Sequence, residues 1–429
     1  MKLVIHRGTH EIGGSCIELN TDSDNGRILI DFGMPLVNGD KTDFDWKKYK
    51  KNTINELISL GILPDIKGLY PPNPSTISSI LLSHAHQDHY GFLQFIRPEI
   101  PIYMSTGTKS LIEVSNLFNQ ANINTDNIRT FRMWQPFSIN GIKVTPYLMD
   151  HSAPDAAAFL IEADRKKIFY TGDFRGHGRK KILFERLTKK PPENIDYLIM
   201  EGSMIGREEG LYPDEVSVEE ALITQMESEQ KACFVFSSSQ NLDRIVSVYR
   251  AAKRTRRIFV IDIYTAYILE KLSGLSPNIP QFDWADVRVY FLHHHAEKIA
   301  KIDKQLLYKY NRHRIKPADI CEHPENKVIL AKDNRFYKSM LSKCGEAICV
   351  YSMWNGYLKK TNLPEFLAEQ NKELLEIHTS GHAILRHLKE IVETVKPKKI
   401  IPIHTFEPEK FGEMFENVIR IDDGQEIKL

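Results

Sequence analysis

Three histidines and one aspartate lie within a single six-residue stretch of the chain, His84-Ala85-His86-Gln87-Asp88-His89. Imidazole and carboxylate side chains are the ligands that Zn²⁺ and similar ions prefer. Two histidines separated by one residue can face one ion, and the aspartate and histidine just beyond them can face a second. An ordinary polar surface loop is the alternative, but this density of ligand types favours a metal site.

A buried strand is expected to position this cluster, because the apolar run Ile80-Leu81-Leu82 precedes it directly. The cluster alone cannot complete the coordination of two ions, so further ligands must come from other strand ends on the same edge of a sheet. Two later residues are placed to supply them: His151 in Met149-Asp150-His151-Ser152, and Asp173 after the strand-like run Lys167–Tyr170. An isolated residue of either type at a strand end is usually structural.

Secondary-structure signals differ on the two sides of residue 203. Before it, short strands are joined by hairpin signals such as Asn140-Gly141. After it, strands and helices alternate strictly, as in the strand at 231–236 and the helix at 241–253. This alternation predicts parallel strands with crossover helices, and therefore a second domain with its own sheet.

The composition is that of a soluble globular protein. Its 429 residues exceed one ordinary hydrophobic core, so two or three domains are expected. No apolar run approaches the roughly 20 residues that span a bilayer, and the amino terminus lacks the apolar core of a signal peptide. A formal net charge of +1 neither indicates nor excludes nucleic-acid binding.

The five cysteines contain no Cys-x-x-Cys pair, which fits a reducing cytoplasm and argues against a disulfide framework or a zinc ribbon. Cys344 and Cys349 are expected to be core residues rather than metal ligands. The sequence therefore predicts a cytoplasmic protein without a membrane anchor.

The candidate residues resemble the motifs of the metallo-β-lactamase superfamily and, within it, of the β-CASP nucleases. The matching superfamily motifs contain Asp31, the His84–His89 cluster, His151 and Asp173. Three later motifs narrow the resemblance to the β-CASP group: Glu201 in Leu198–Ser203, His382 in Thr379–Ala383, and His404 in Ile401–His404.

Within that group the sequence is most similar to ribonuclease J, whose motifs match at Ile12–Cys16 and His151–Ala156. There are two departures. Ribonuclease J typically continues its last motif as His-Gly-Glu, whereas this chain has His404-Thr405-Phe406-Glu407, and Tyr351–Tyr357 also differs. These departures leave open whether the activity is exonucleolytic or endonucleolytic, and whether the protein is a monomer or a homodimer.

The resemblance implies an α/β fold, a four-layer αββα metallo-β-lactamase sandwich with an inserted parallel α/β domain. Residues 1–202 would form the first part of the metallo-β-lactamase domain. Residues 203–373 would form the β-CASP domain, and residues 374–429 would complete the first domain.

The resemblance also implies a pair of zinc ions, with manganese as the other candidate. Asp31 would orient a ligand imidazole, although a plain loop-capping aspartate is an alternative. Ions roughly 3.5–4 Å apart can share a hydroxide that attacks a phosphodiester in line. The implied ligands are His84, His86 and His151 for one ion, Asp88, His89 and His404 for the other, and Asp173 for both.

Catalysis would further require an acid that protonates the departing 3′-oxygen. His382 is the candidate, with Glu201 holding its other ring nitrogen and Asp88 acting at the metal site; the alternative is that His382 only binds phosphate. Two expected helix starts could bind the backbone phosphates of the substrate, although the first could be an ordinary N-cap. The candidate substrate-binding residues are Ser237, Ser238, Ser239, Asn241, Arg244, Ser380 and Gly381.

The function implied is a zinc-dependent ribonuclease that leaves 5′-phosphate and 3′-hydroxyl ends. Two alternatives stay open, a DNA nuclease of the same architecture and a catalytically weak nucleic-acid-binding relative. The expected partner is RNA, or single-stranded DNA, and no membrane is involved. Because RNA is told from DNA by a few contacts to the 2′-hydroxyl, the sequence separates these substrates poorly.

Overall fold

The computed structural model describes residues 1–22, 26–72 and 74–429, and these residues form three β-sheets with helices on their faces. Two sheets are stacked, and the third belongs to the inserted segment. Among the described residues, no helix combines the length and the apolar character that crossing a bilayer requires.

The first sheet has seven strands in the order β20-β1-β2-β3-β4-β5-β6. Its amino-terminal strands are antiparallel, whereas β3, β4, β5 and β6 run parallel to one another. The strands are β1 (Lys2–Arg7), β2 (Cys16–Asn20), β3 (Arg27–Ile30), β4 (Ser79–Leu81), β5 (Ile102–Met104), β6 (Ile128–Thr130) and, near the end of the chain, β20 (Glu426–Lys428).

The second sheet has six strands in the order β19-β11-β10-β9-β8-β7. Strands β10, β11 and β19 run parallel, and β7 to β10 form an antiparallel meander. The strands are β7 (Phe137–Ile139), β8 (Ile142–Leu148), β9 (Ala157–Ala163), β10 (Lys166–Tyr170), β11 (Tyr197–Glu201) and β19 (Lys399–Ile403).

The third sheet is parallel throughout, in the order β15-β14-β13-β16-β12-β17-β18. Such sheets need helices on both faces, which the alternating sequence supplies. The strands are β12 (Ala232–Phe236), β13 (Ile258–Asp262), β14 (Val287–Tyr290), β15 (Arg314–Ile315), β16 (Lys327–Ala331), β17 (Ala347–Tyr351) and β18 (Leu374–Glu376).

The helices are distributed over the outer faces of the stacked sheets and around the third sheet. In chain order they are α1 (Ile54–Ser59), α2 (Gln87–Tyr90), α3 (Thr106–Asn119), α4 (Lys181–Lys189), α5 (Glu215–Ser228), α6 (Leu242–Arg254), α7 (Ile263–Lys271), α8 (His293–Ile302), α9 (Lys304–Asn311), α10 (Pro317–Glu322), α11 (Arg335–Lys343), α12 (Asn355–Leu358), α13 (Leu363–Ala368), α14 (Leu385–Val395) and α15 (Pro408–Met414).

Successive side chains of each strand point to opposite faces of its sheet, and this alternation explains how the sheets and helices are layered. In β3, Ile28 and Ile30 pack between the two stacked sheets with Phe159 of β9, whereas Leu29 faces the outer helices with Leu111 of α3. Because successive strand residues point to opposite faces, an all-apolar strand must be covered on both sides. The result confirms the predicted α/β fold, an αββα sandwich with an inserted parallel α/β domain.

Two sequence expectations need correction. Strand β18, Leu374–Glu376, pairs with β17 of the inserted sheet, so that sheet extends past the predicted boundary at residue 373. Cys321 and Cys344 form a disulfide, which the scattered cysteine spacing did not indicate. The other domain boundary, between residues 202 and 203, stays a prediction.

Candidate metal centre

The carboxyl ends of five strands meet at one edge of the stacked sheets. In the first sheet, the parallel strands β3 and β4 lead to Asp31 and to the cluster that begins at His84. In the second sheet, the parallel strands β10 and β19 lead to Asp173 and His404, and β11 between them ends with Glu201. Residues far apart in the chain are therefore close in space because parallel neighbours end at the same edge.

The first ligand group consists of His84, His86, His151 and Asp173, whose candidate ligand atoms all lie within 4.8 Å of one another. His86 Nδ1 lies 3.1 Å from His84 Nε2 and 3.2 Å from His151 Nε2. Asp173 Oδ2 lies 3.6 Å from His84 Nε2. Three imidazole nitrogens and one carboxylate oxygen thus converge on one point.

The second ligand group consists of Asp88, His89, His404 and, again, Asp173, with the same 4.8 Å limit between their ligand atoms. Asp173 Oδ2 lies 3.3 Å from His89 Nε2 and 3.8 Å from His404 Nε2. Asp88 Oδ2 lies 3.6 Å from His404 Nε2. Asp173 therefore belongs to both ligand groups.

Unpaired buried atoms test whether this site fits metal ions. Nε2 of His89, Nε2 of His404 and Oδ2 of Asp173 are buried and have no hydrogen-bond partner among the described residues. Buried polar atoms are almost always paired, and these three lie in the second ligand group. Imidazole nitrogen and carboxylate oxygen are donors that suit zinc and related divalent ions. The residues of the site therefore fit a divalent metal ion.

Hydrogen bonds to the opposite ring nitrogens aim the imidazoles. His89 Nδ1 lies 2.8 Å from Asp31 Oδ2, and His151 Nδ1 lies 2.8 Å from the carbonyl oxygen of Gly381. His404 Nδ1 lies 3.0 Å from Ser15 Oγ. Such partners fix the ring orientation of a ligand histidine and leave its other nitrogen directed at the centre.

Asp31 is fully buried and accepts several hydrogen bonds at once. It receives the backbone N–H and the hydroxyl of Ser83, each at 2.8 Å, and the hydroxyl of Tyr170 at 2.7 Å. These contacts join β3, β4 and β10, and the 2.8 Å contact with His89 adds the ligand loop. Asp31 therefore contacts a predicted ligand rather than capping its own loop.

The protonation of these groups follows from burial and from their mutual charge. Burial and the neighbouring imidazoles hold the pKa of His84 and of His151 well below the ordinary range, which keeps both neutral, as a ligand must be. Burial alone would raise the pKa of Asp173, but the imidazoles around it hold that pKa well below its usual value. Burial would also lower the pKa of His89, yet Asp173 and Asp31 raise it well above the ordinary value, which marks an excess of negative charge there.

Glu201 and His382 lie beside Asp173. His382 Nδ1 is 3.1 Å from Glu201 Oε2 and 3.7 Å from Asp173 Oδ2. The Glu201 carboxylate also accepts the backbone N–H of Phe174 at 2.9 Å, which fixes its position. Burial alone would lower the pKa of His382, but the two carboxylates raise it to about 9.

The predicted substrate-binding residues are only partly free to bind. Asn241 is the N-cap of α6, and its side chain accepts the backbone N–H of Arg244, as the N-cap alternative expected. The hydroxyl of Ser239 is hydrogen-bonded to that of Thr265. Ser237 is buried, and Ser238 is exposed. Ser380 and Gly381 do not open a helix as expected, because they lie in an irregular segment and α14 begins only at Leu385.

Arg244 corrects the sequence interpretation. Its guanidinium is fully buried and donates to Glu215 at 3.0 Å and to the carbonyl oxygen of Ser352 at 2.8 Å. A guanidinium that is already neutralised and sealed from solvent does not contact a substrate phosphate. It is instead part of a buried ion network that includes Arg175.

Arg175, which sequence reasoning missed, holds the segment that carries His382. Its guanidinium donates to the carbonyl oxygen of Ser380 at 2.8 Å and pairs with Asp243 at 2.5 Å. Lys180 donates to the backbone oxygen of His151 at 2.8 Å and to Asp243 at 2.6 Å. Charged pairs between residues that are distant in the chain leave no local sequence pattern. The one signal that could have indicated Arg175 is its position two residues after Asp173.

The chain is similar to a known protein family, to curated proteins and to a solved structure. Residues 64–227 match a family model described as "Beta-lactamase superfamily domain". The chain is 23% identical over 360 residues to Ribonuclease J of Sinorhizobium meliloti, covering 80% of this chain and 60% of that protein. It is 19% identical over 424 residues to Ribonuclease J of Mycoplasma genitalium, covering 94% and 67%.

An archaeal relative and a solved structure complete the comparison. An RNase J-like protein of Methanocaldococcus jannaschii is 24% identical over 300 residues, which cover 65% of this chain and 63% of that protein. A protein of unknown function from Enterococcus faecalis V583 has the same fold, with a TM-score of 0.80, 22% identity and 100% of this chain and 99% of that chain covered. The chain spans about 60% of the length of the first curated relative that it matches.

Proposed function

We propose that the chain is a metal-dependent ribonuclease of the metallo-β-lactamase superfamily, in its β-CASP group. The observation that carries the proposal is the meeting of two ligand groups at Asp173, with Glu201 and His382 beside them. RNA is the proposed substrate because the curated relatives above are named ribonucleases J.

We propose that the two ligand groups bind two zinc ions, with manganese as the other candidate, and that Asp173 bridges them. Bound there, two divalent ions would lower the pKa of water toward about 7 and neutralise charge that develops on a phosphodiester. The chain itself supplies the orientation of the ligands. Asp31, Ser15 and the Gly381 carbonyl each contact the far nitrogen of a ligand imidazole.

His382 is the proposed general acid. Its Nδ1 faces Glu201, which orients the ring and leaves Nε2 to donate a proton to the departing 3′-oxygen. The side chain is 25% exposed, whereas Glu201 is 1% exposed, so the imidazole is the accessible member of the pair. Proton donation on that side of the bond leaves a 3′-hydroxyl on one product and a 5′-phosphate on the other.

Phosphate contacts are proposed for the segment that carries His382 and for the exposed Ser238. Ser380 Oγ accepts the backbone N–H of His382 at 3.0 Å, and Arg175 holds the Ser380 carbonyl from behind. The backbone amides near Gly381 are therefore fixed where a phosphate can approach the acid. Ser237, Ser239 and Asn241 are weaker candidates for phosphate contacts. Ser237 is buried, and Ser239 and Asn241 already make hydrogen bonds within the protein.

The proposal is tested by metal analysis and by cleavage of end-labelled RNA and DNA of the same sequence. We expect about two zinc or manganese ions per chain, cleavage of RNA in preference to DNA, and 5′-phosphate ends on the products. Asp88→Ala should reduce cleavage by more than about 100-fold, because loss of a ligand should exceed the cost of losing a group that only orients one, while the thermal midpoint of the apoprotein stays within a few degrees.

The control variant is Asp126→Ala, which removes an exposed aspartate outside both ligand groups. It should cleave RNA at the wild-type rate. Near-wild-type cleavage by Asp88→Ala would contradict the assignment of the second ligand group. Preferential cleavage of DNA would make DNA the proposed substrate in place of RNA, and the proposal of a two-metal site would stand.

A further inference from the structure

An exposed aromatic pair lies between β17 and α13, outside the two ligand groups. Trp354 and Tyr357 are each 45% exposed, and their ring centroids are 5.3 Å apart with an edge-on geometry. The indole rests on the backbone at Gly356, where an added β-carbon would lie 2.3 Å from the ring. Neighbouring exposed rings that are held in place form a candidate surface for binding a ligand.

A guanidinium that contacts aromatic rings but has no hydrogen-bond or ion-pair partner among the described residues lies beside this pair. The Arg207 guanidinium carbon is 5.1 Å from the centroid of the Trp354 ring and 5.8 Å from that of Phe406. The side chain is half-buried, and burial lowers its pKa. Within residues 1–22, 26–72 and 74–429, no hydrogen bond or ion pair to this guanidinium is present. A desolvated cation of this kind favours an anionic ligand.

The four residues Trp354, Tyr357, Phe406 and Arg207, here called the aromatic cluster, border the candidate metal centre. Phe406 follows His404 by two residues. The cluster therefore lies on the side of the second ligand group.

The surroundings of the cluster come from both domains. Lys41 Nζ lies 5.9 Å from the Phe406 ring centroid, and Lys360 next to α12 forms a 2.6 Å ion pair with Asp43 of the first domain. The cluster thus lies where the inserted segment contacts the loop around residue 41. A polynucleotide strand that reaches the metal centre from this side would pass over it.

We propose that the aromatic cluster is a subsite for one unpaired nucleotide of the substrate strand. Its base stacks on Trp354, and its phosphate is bound by Arg207. The inference rests on the proposed function, because it presumes a polynucleotide at the metal centre. Aromatic rings combined with a cation are the usual means of binding single strands without reading their sequence, since every base has a stacking face.

The test uses the full-length, metal-loaded chain in which His382→Ala prevents cleavage during the measurement. Binding of fluorescein-labelled oligouridylate is compared with binding of an abasic ribose-phosphate strand of equal length. Trp354→Ala should weaken binding of oligouridylate by at least about fivefold, the loss expected for one stacked base, and leave the abasic strand unaffected. Trp354→Phe should restore most of the affinity.

Arg207→Gln separates the phosphate contact from stacking. It should weaken both strands, and it should reduce the slope of log Kd against log salt concentration by about 0.7, the value for one lost phosphate contact on a single strand. Tyr308→Ala, which removes a 63% exposed aromatic side chain from α9, is the control and should bind both strands like the wild type.

The outcomes separate this inference from the proposed function. If Trp354→Ala binds oligouridylate as tightly as its parent, and the otherwise wild-type enzyme still cleaves RNA, the subsite is wrong and the nuclease assignment stands. Equal losses for the two strands in Trp354→Ala would likewise exclude stacking. A parent protein that binds neither RNA nor DNA would overturn both the subsite and the proposed function.

Discussion

Gly33 shows how a single residue positions the ligand loop. A β-carbon at Gly33 would lie 1.7 Å from the carbonyl oxygen of Asp88, a distance that no side chain can occupy. Around it, the backbone N–H of Phe32 donates to the His89 oxygen at 2.7 Å, and that of Ser15 donates to the Asp88 oxygen at 3.1 Å. The loop of the second ligand group is therefore held directly against the backbone that follows β3.

Gly33→Ala is predicted to displace this loop and to weaken metal binding, because the backbone at Asp88 must move to admit the methyl group. We expect a loss of stability of about 1–3 kcal/mol, the usual cost of overpacking, and a metal content below that of the wild type. Equilibrium dialysis against Zn²⁺ and differential scanning calorimetry measure the two effects. Gly39→Ala is the control, since nothing lies within 4 Å of its added β-carbon; equal metal content in both variants would contradict the prediction.

What could be predicted at this scale depends on how local the signal is. The His84–His89 cluster was evident because its ligands follow one another in the chain. Ser15 and Gly381 contact ligand imidazoles from distant segments, and no spacing indicates such partners. Arg244 looked like a phosphate contact at a helix start, but its buried anion partner Glu215 lies 29 residues away and left no mark on the local pattern.

At the scale of elements, the antiparallel strands β1, β2 and β3 carry the buried carboxylate of Glu18, which contacts an imidazole and a guanidinium. Glu18 Oε2 lies 2.9 Å from His6 Nε2, and the two oxygens of Glu18 accept the Arg27 guanidinium at 2.6 and 2.8 Å. Burial alone would raise the pKa of Glu18, but these hydrogen bonds lower it to about 2. The folded sheet therefore holds this group ionised further into acid than the unfolded chain does.

A stability loss in acid follows from that pKa. Above about pH 5 the group is ionised in both states, and the sheet keeps the full stabilisation; as the pH falls from 4.5 toward 2, protons bind the unfolded chain first and favour unfolding. The stabilisation at stake is at most about 3 kcal/mol. The thermal midpoint of Glu18→Gln should lie below that of the wild type at pH 7, and the gap should narrow at pH 3. A gap that is the same at both pH values would show that Glu18 makes no such contribution.

Helix α5 joins the two domains through Glu215. This fully buried carboxylate accepts Arg244 at 3.0 Å and Ser247 at 2.7 Å, and Arg175 lies 3.4 Å away. Arg175 in turn holds the Ser380 carbonyl. Strict alternation of strands and helices predicted the inserted sheet, but neither this helix nor its ion pairs. Alternation specifies which faces are apolar and carries no information about charges buried between domains.

Glu215→Gln is predicted to cost about 3–5 kcal/mol, since it leaves two buried guanidinium groups short of an anion. The segment that carries His382 should also shift. At low temperature, cleavage should therefore fall by more than the loss of stability alone explains. Glu220→Gln is the matched control on the same helix: this residue pairs with Arg254 at the surface, where both side chains are about half exposed, and it should cost less than about 1 kcal/mol. Calorimetry with cleavage assays at 15 °C measures both. Similar losses in the two variants would contradict a special role of the buried carboxylate.

At the scale of the whole molecule, the ligand groups are the place where the two stacked sheets are joined at their edge. Asp88 and His89 follow a strand of the first sheet, Asp173 and His404 follow strands of the second, and three buried ligand atoms there have no hydrogen-bond partner among the described residues. Metal removal should therefore lower the stability of the two stacked sheets and not only the cleavage activity. A ligand that binds the folded state alone adds about 2.7 kcal/mol at a concentration of 100 times its Kd. We expect a chelator to lower the thermal midpoint reversibly and added Zn²⁺ or Mn²⁺ to restore it, with the shift growing with the logarithm of free metal.

Asp88→Ala should show a smaller shift than Asp126→Ala under the same titration, because only the former lacks a candidate ligand. Equal midpoints with and without metal in the unmodified chain would mean that no ion joins the two sheets, and the candidate centre would lose its physical basis.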